Sequence, residues 1–337
     1  MEDGYEFDAK KVRAQLVTAG INPSAFRTIT YRPFDNRTIY NESRGKLVAR
    51  HSPDFLPHVG TGNIILNTTR RQRRTGAWDL LTVTQHFTDL HLHEPDMQSF
   101  PLYLRVSEMF STHLEPNLSP AMLEAMCTLT GATFKPGGPH APEVLETAEA
   151  VFYHAVAVMQ SPAYRTENDG YLRQDWPRIP LPKTKTALLE SATLGHRVAA
   201  LLQPGVRVDG VTHKLDAQSQ KIAVPIMADG GVIAPGKNLE ITVAYGGKGK
   251  FILRGETGTG DLWWSNLGCW SNVPKSAWEF SIGGYPVIKK WLSYRHVNDL
   301  GRPLNLDELE FVSEMIRRIL ALLEMTETLD TNYHALV

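Results

Sequence analysis

Hydrophobic periodicity changes along this chain, and that change most limits the folds open to it. Between residue 21 and about residue 106 the apolar side chains come in short runs, "FRTITY", "TGNIILNTT", "DLLTVTQHF" and "FPLYLRV". These are rich in β-branched and aromatic residues and divided by turn residues, the pattern of strands. From "NLSPAMLEAMCTL" onward the spacing becomes helical: Val144, Leu145, Ala148, Val151, Phe152, Ala155, Val156 and Met159 fall on one stripe after Pro142. Another helix is expected over "KTKTALLESATLGHRVAALL", after the proline-rich "DWPRIPLPKT". Strand texture returns in "QKIAVPIM", "NLEITVAYGGKGKFILRGE" and "SAWEFSIGG", with the glycines of "YGGKGK" placed for a hairpin turn. A long amphipathic helix closes the chain. Asn305 and Glu308 have capping-box spacing, and Leu309, Val312, Ile316, Ile319 and Leu323 repeat at three and four. A further helix is expected in "DAKKVRAQLVTAG", with Asp8 as N-cap and Gly20 just past its end.

The expected class is therefore α+β. Four blocks follow from the texture: a β-rich lobe over residues 1–106, a helical block over 107–203, a second β block over 204–284 packed with the first, and C-terminal helices over 285–337. At 337 residues and 42% hydrophobic, the chain has enough apolar side chains for a real core. Its two cysteines, Cys127 and Cys269, form neither a disulfide framework nor a cysteine-rich zinc site, so a reducing, cytoplasmic setting is expected. The opening "MEDGYEFDAKK" lacks the apolar stretch of a secretory signal, and no run approaches the roughly 20 apolar residues of a membrane helix.

Signatures of catalysis are weak throughout. "GGKGKF" lacks both the first glycine and the Ser or Thr that would follow Lys250 in a phosphate-cradling loop, so Lys248 and Lys250 are candidates only for contact with a phosphate backbone. "GETGTGDLWW" has its glycines in the wrong order for a dinucleotide fingerprint and reads as a flexible turn. In "HFTDLHLHEPD", strand alternation would put His91 and His93 on one face with Asp89 nearby, which makes a small metal-dependent hydrolase one alternative. A third or fourth ligand is missing from the pattern. Glu143 and Glu146 lie on the outer face of their helix, where solvation explains them.

Charge is distributed unevenly. The formal net charge is −1, yet residues 26–78 hold ten Lys or Arg against Asp35, Glu42 and Asp54. The densest part is "NTTRRQRRTGAWD", with Arg70, Arg71, Arg73 and Arg74 packed into five residues around Gln72. If "GNIILNTT" is a strand, this run and Thr75 occupy the loop where the strand ends, and such loops carry binding residues on a rigid support. Arginine presents a planar donor fork suited to guanine O6 and N7 or to phosphate, and glutamine pairs in the same bidentate manner with adenine. A solvated loop with acidic neighbours is the plain alternative. Trp78 reads either as a core anchor or as a stacking platform.

"FRTITYRPFDNRTIY", "NIILNTTRRQ", "FTDLHL" and "FPLYLR", in that order, resemble the start of the C-terminal specificity region of type ISP restriction-modification enzymes. "AVFYHAVAVMQSPAYR", "DWPRIPLP" and "AWEFSIGGYPVIKKWLSYR" resemble the later motifs of the same region, so the likeness spans about residues 20–330. It implies a target-recognition domain for double-stranded DNA, joined to or paired with an N6-adenine methyltransferase. Catalysis, S-adenosylmethionine, ATP and Mg would all belong to domains or subunits N-terminal to Met1, with no cofactor in this chain. The candidate DNA-binding residues are Arg70, Arg71, Gln72, Arg73, Arg74, Thr75, Arg32, Arg37, Lys248 and Lys250. Arg32 lies within the family-like run "YRPFD" and Arg37 follows it; Tyr31 and Phe34 are expected in the core and Asp35 is expected to pair with Arg32 or Arg37. Within the basic run, "TTRRQ" belongs to the resemblance, while Arg73 and Arg74 depart from it and are candidates for this chain's own specificity. A protein-interaction module that docks a methyltransferase without touching DNA is the remaining alternative.

Overall fold

Three small sheets form over the chain's first part, the last of them reaching to residue 116, beyond the expected β-rich lobe. The computed structural model describes residues 9–42, 54–60, 62–93, 97–107, 112–135, 141–243, 251–253 and 258–337. After helix α1 (Ala9–Ala19), strands β1 (Phe26–Arg32) and β2 (Asp35–Tyr40) form an antiparallel hairpin. Its two-residue turn has Pro33 first and Phe34 second, with Phe34 at φ +61°. That order is a type II turn, which normally takes glycine in the second position. Phe34 tolerates it because its ring is buried at 2% exposure, so packing offsets a backbone cost of roughly 1–2 kcal/mol.

Strand β3 (Ile65–Thr69) is the centre of a second sheet, between β4 (Thr82–Thr84) and β6 (Met97–Pro101), antiparallel to both. The short β5 (Phe87–Thr88) pairs in parallel with β1. "FPLYLRV" does not make one strand: it breaks at Leu102, after Pro101, and continues as β7 (Tyr103–Ser107), paired with β8 (Thr112–Pro116).

The helical block follows as α2 (Pro120–Thr130), α3 (Pro142–Gln160), α4 (Pro162–Glu167), α5 (Asp169–Leu172) and α6 (Lys185–Leu202). On α3 the expected stripe faces inward, with Val144, Ala148, Val151, Val156 and Met159 buried and Leu145, Phe152 and Ala155 half-buried. Helices α3 and α6 approach closely at Gly195, where a Cβ would sit 1.7 Å from the carbonyl oxygen of Tyr153. His154 of α3 is buried and shares a 2.8 Å hydrogen bond with Ser191 of α6, its other ring nitrogen being 2.9 Å from the carbonyl oxygen of Pro180. Every polar atom of that imidazole is thus satisfied inside the interface.

The second β block is a four-stranded antiparallel sheet of β9 (Val224–Met227), β10 (Phe251–Leu253), β11 (Thr259–Trp263) and β12 (Gly268–Pro274), in the order β10-β11-β12-β9. Three expectations change here. "NLEITV" alternates as a strand does, and Leu239, Ile241 and Val243 are buried, but among the described residues it joins no sheet: Ile241 bridges to His296 and Thr242 N–H donates to the carbonyl of Trp264. In "GETGTGDLWW", read as a flexible turn, Thr259–Trp263 is strand β11, while residues 255–257 lie outside the described residues. "SAWEF" begins with helix α7 (Lys275–Glu279), which buries Ala277 and Trp278, and only then enters β13 (Ser281–Ile282) and β14 (Tyr285–Pro286). The turn expected at "YGGKGK" lies outside the described residues.

The chain finishes with α8 (Val287–Ser293), α9 (Val297–Leu300), α10 (Leu306–Glu324) and α11 (Thr326–His334). A continuous core draws Phe34, Leu66, Val156, Trp264, Trp270 and Ile316 from all four blocks. Trp264 and Trp270 meet edge to face at 4.9 Å, and the Trp270 indole donates to the carbonyl of Leu309 on α10. Helix α10 also buries Arg318, at 1% exposure, with Glu314 and the carbonyl oxygens of Ala200 and Val206 accepting from it. This charge is tolerated in the core because its donors are met.

The capping box at α10 is complete: Asn305 Oδ1 accepts from the Glu308 backbone at 2.8 Å, and Glu308 Oε2 from the Asn305 backbone at 2.9 Å. Arg302 adds an ion pair to Glu308 at 2.7 Å. Asn305→Ala is expected to lower unfolding free energy by about 1 kcal/mol, measured as a shift of the urea midpoint with unchanged slope.

Candidate nucleic-acid interface

Strand β3 is buried along its whole length, and the chain leaves its sheet at Arg70. The loop then returns through Gly76, at φ +120°, to Trp78, which is 1% exposed and therefore a core anchor rather than a stacking platform. Between these points the side chains divide by role. Arg70 Nε donates to Asp175 Oδ1 at 3.0 Å, just beyond α5. Gln72 Nε2 donates to the carbonyl of Gly76 at 3.0 Å and closes the loop on itself. Arg173, held by Asp169, donates to the same Gly76 carbonyl at 2.8 Å. Arg74 Nη1 donates to the carbonyl of Gly283 at 3.1 Å, and its guanidinium lies 4.8 Å from the centre of the Tyr285 ring. Arg71, Arg73 and Thr75 are exposed.

The run is thus divided differently from the sequence pattern. Arg70 and Arg74 brace the loop at its two ends, against the helical block and against the β13–β14 hairpin. Gln72, a base-reading candidate, has its amide nitrogen occupied by the loop's own carbonyls. All four arginines are exposed, and Arg71 and Arg73 stand one on each side of Gln72.

The bracing hairpin has its own requirement. Gly283 and Gly284 lie at φ +59° and +69°, the two left-handed positions of a type I′ turn. Gly283 donates its N–H to the carbonyl of Asp79 at 3.2 Å while its own carbonyl receives Arg74, and Ser281 Oγ reaches Asp79 Oδ2 at 3.3 Å. A Cβ on Gly283 would lie 2.9 Å from the Cβ of His93, so this position is closed by sterics as well as by dihedral angle.

His93 is fully buried, with Nε2 2.8 Å from Thr82 Oγ1. Burial, together with the Arg74 guanidinium, pushes its pKa down to about 3. His91 is exposed, and its backbone N–H bonds to Asp89 Oδ1, the oxygen that also pairs with Arg32 at 2.7 Å. The metal reading of Asp89, His91 and His93 therefore fails on geometry. Residues 89–93 form a turn, not a strand, so alternation does not hold and the two imidazoles part, one inward and one outward. Among the described residues no three His, Cys, Asp or Glu gather to hold a metal ion.

Arg32 and Arg37 are both engaged in ion pairs within the protein, Arg32 largely buried and Arg37 partly exposed. Arg32 is 12% exposed and pairs with Asp89. Asp35, 1% exposed, is gripped from both sides, by Arg37 at 2.7 Å and by Arg295 at 2.8 Å. Of the two partners expected for Asp35, Arg37 is the one it takes, and Arg295 was not legible from the motif. Tyr31 is half-buried rather than in the core, because a register shift in β1 turns it toward Tyr294. Lys248 and Lys250 lie outside the described residues. Asp175, Arg173 and Gly283 hold the loop but carry no local sequence signal for it, except that "GGYP" marks a glycine-glycine hairpin turn.

Three solved structures share this architecture. A DrdV–DNA complex gives a TM-score of 0.60 at 18% identity over 92% of this chain and 28% of that one. The type ISP enzyme LlaBIII bound to DNA gives 0.61 at 13% identity over 97% and 20%. A nuclease-deletion mutant of the type ISP enzyme LlaGI with a DNA substrate mimic gives 0.55 at 16% identity over 92% and 25%. The chain thus spans about a quarter of the length of the proteins it matches. No curated protein matches it. The class that this fold defines is α+β. The chain matches the type ISP C-terminal specificity domain over residues 6–319 and belongs to that family.

Two outcomes follow from the clasp around Gly283. Gly283→Ala is expected to destabilise the fold by about 1–3 kcal/mol through overpacking against His93 and the left-handed dihedral, whereas Gly210→Ala, at φ +76° with open space around it, pays only the dihedral part. The pH dependence has a definite sign. The folded-state pKa of His93 lies below the unfolded value of about 6.5, so the unfolded chain takes up the proton first. Its contribution to stability is complete above about pH 6.5 and is lost as pH falls toward 3. Urea unfolding of the wild type and His93→Gln between those limits is expected to show a steeper decline in the wild type.

Proposed function

We propose that this chain recognises a specific sequence in double-stranded DNA, as the target-recognition domain of a type ISP restriction-modification enzyme. The observation that carries this reading is the loop at the end of β3, braced on two sides with Arg71 and Arg73 exposed. A rigid support is what base reading needs, because a bidentate contact distinguishes bases only when the donor fork arrives at a set angle. The similar structures described above contain DNA or a DNA substrate mimic, which supports the same reading.

On this reading Arg71 and Arg73 face base edges and Thr75 adds a short polar contact. Arg70, Gln72 and Arg74 shape the loop, while Arg32 and Arg37 support the neighbouring hairpin. Methylation of adenine N6, DNA cleavage and the S-adenosylmethionine, ATP and Mg they require would reside in a methyltransferase and nuclease polypeptide or subunit outside this chain. No helix among the described residues is long and apolar enough to cross a membrane. We place the domain in the cytoplasm, where the DNA of a restriction-modification host is found.

A module that only docks a partner protein through its terminal helix is less well supported. Leu309, Val312, Ile316 and Ile319 are buried against this chain's own core, so the apolar face of α10 is already covered. Binding to duplex libraries at several salt concentrations separates the two. Affinity is expected to fall with a log–log slope of about −0.9 per phosphate neutralised. Arg71→Ala and Arg73→Ala are expected each to remove about 1–3 kcal/mol of discrimination between sequences. Equal affinity for every sequence, in the wild type and both variants, refutes base reading by the loop.

A further inference from the structure

Beside the arginine loop, rings and cations alternate along a continuous surface. The Arg74 guanidinium lies 4.8 Å from the centre of Tyr285, and Lys290 Nζ lies 6.0 Å from Tyr285 and 4.8 Å from Tyr294. Tyr294 meets Tyr31 edge to face at 5.4 Å, with Arg37 4.7 Å from one ring and 4.0 Å from the other. Arg32 completes the series, 4.1 Å from Tyr31 and 5.5 Å from Tyr285. Tyr31, Arg37, Tyr285, Lys290 and Tyr294 are all partly exposed.

We propose that this tyrosine–cation ladder is a phosphate-binding shoulder, which takes the sugar–phosphate backbone of duplex DNA flanking the base pairs under the loop. The proposal rests on the DNA-reading function proposed above and adds the residues that would set the loop's register. Charge is the first argument. Among the described residues, Arg32, Arg37, Lys290 and Arg295 are accompanied by Asp35 and Asp89, both already ion-paired, and by Glu308, which lies near Arg295 and pairs with Arg302. A surplus of positive charge remains in a chain whose formal net charge is −1. A polyanion is the ligand that relieves it.

The choice of phosphate over bases comes from the rings. Tyr31 has guanidiniums 4.0 and 4.1 Å from its centre, so its π system seats cations rather than a stacked base. Cations held on rings are ordered before the ligand arrives, which lowers the entropy lost in gripping a phosphate. The link to the loop is direct, since Tyr285 carries Arg74 on the same ring that neighbours Lys290. Backbone contacts of this kind position a reader, while base contacts specify the sequence.

The test uses the 337-residue chain with a labelled duplex of preferred sequence and a scrambled duplex, titrated across salt. Lys290→Ala is expected to weaken both duplexes by the same factor, severalfold at low salt, and to reduce the salt slope by about 0.9. The preference between sequences and the thermal midpoint should not change. Lys290→Arg should restore affinity, and Lys290→Glu should weaken binding further. If Lys290→Ala and Lys290→Glu leave affinity and slope untouched while Arg71→Ala alters preference, the shoulder is wrong and the DNA-reading function stands. If Lys290→Ala changes preference rather than overall affinity, the residue reads bases and the phosphate assignment is overturned. If the wild type shows no salt-dependent binding to either duplex, both proposals fall.

Discussion

The backbone of Gly283 holds the arginine loop where it is. Its N–H reaches Asp79 at the loop's end, and its carbonyl receives Arg74 from the loop's interior. Only a residue without a Cβ fits there, since the turn demands positive φ and His93 stands against the missing side chain. Two segments about 200 residues apart are thereby locked, by one backbone–backbone hydrogen bond and by one from the Arg74 side chain. The burial of His93 as a neutral imidazole, and the seating of Tyr285 under Arg74, both depend on the hairpin being in this place.

The arginines in this region divide by the environment that receives them. Arg32, Arg295 and Arg318 are largely buried, and each has an ion-paired carboxylate, because an unpaired charge away from water is costly. Arg70 and Arg74 are half-structural, giving donors to the protein while staying near solvent. Arg71 and Arg73 are exposed at the tip of the same run. One residue type thus supplies the brace and the reading surface, and a net charge near zero hides the local concentration. The tyrosines extend that surface, because a ring face accepts a cation without neutralising it.

Much of the helical part was legible because its determinants are local. The capping box at Asn305 and Glu308 and the stripe on residues 144–159 are set within a few turns of chain, and both occur as the spacing implies. The strand that ends at Thr69 and the loop after it were equally plain. The failures share a cause. "NLEITV" has strand periodicity but joins no sheet among the described residues, "SAWEF" has strand composition but helical geometry, and "DLHLH" turns where alternation was assumed. Each was decided by what packs against the segment, which no window of sequence contains.

For the candidate interface, the sequence by itself determined that a dense arginine run sits at a strand end, within motifs that place the chain in its family. Tertiary structure alone decided which of those exposed arginines also brace the loop. Asp175, Gly283 and Tyr285 lie far along the chain from residues 70–74, and hydrogen-bond geometry selects Arg70 and Arg74 for them by position in space. The same reason applies to the tyrosine–cation ladder: Tyr31, Tyr285 and Tyr294 become neighbours only when the β1–β2 hairpin meets the segment around α8. Composition can count the charges, but only the folded chain sets the distances between them, and electrostatic energy depends on distance.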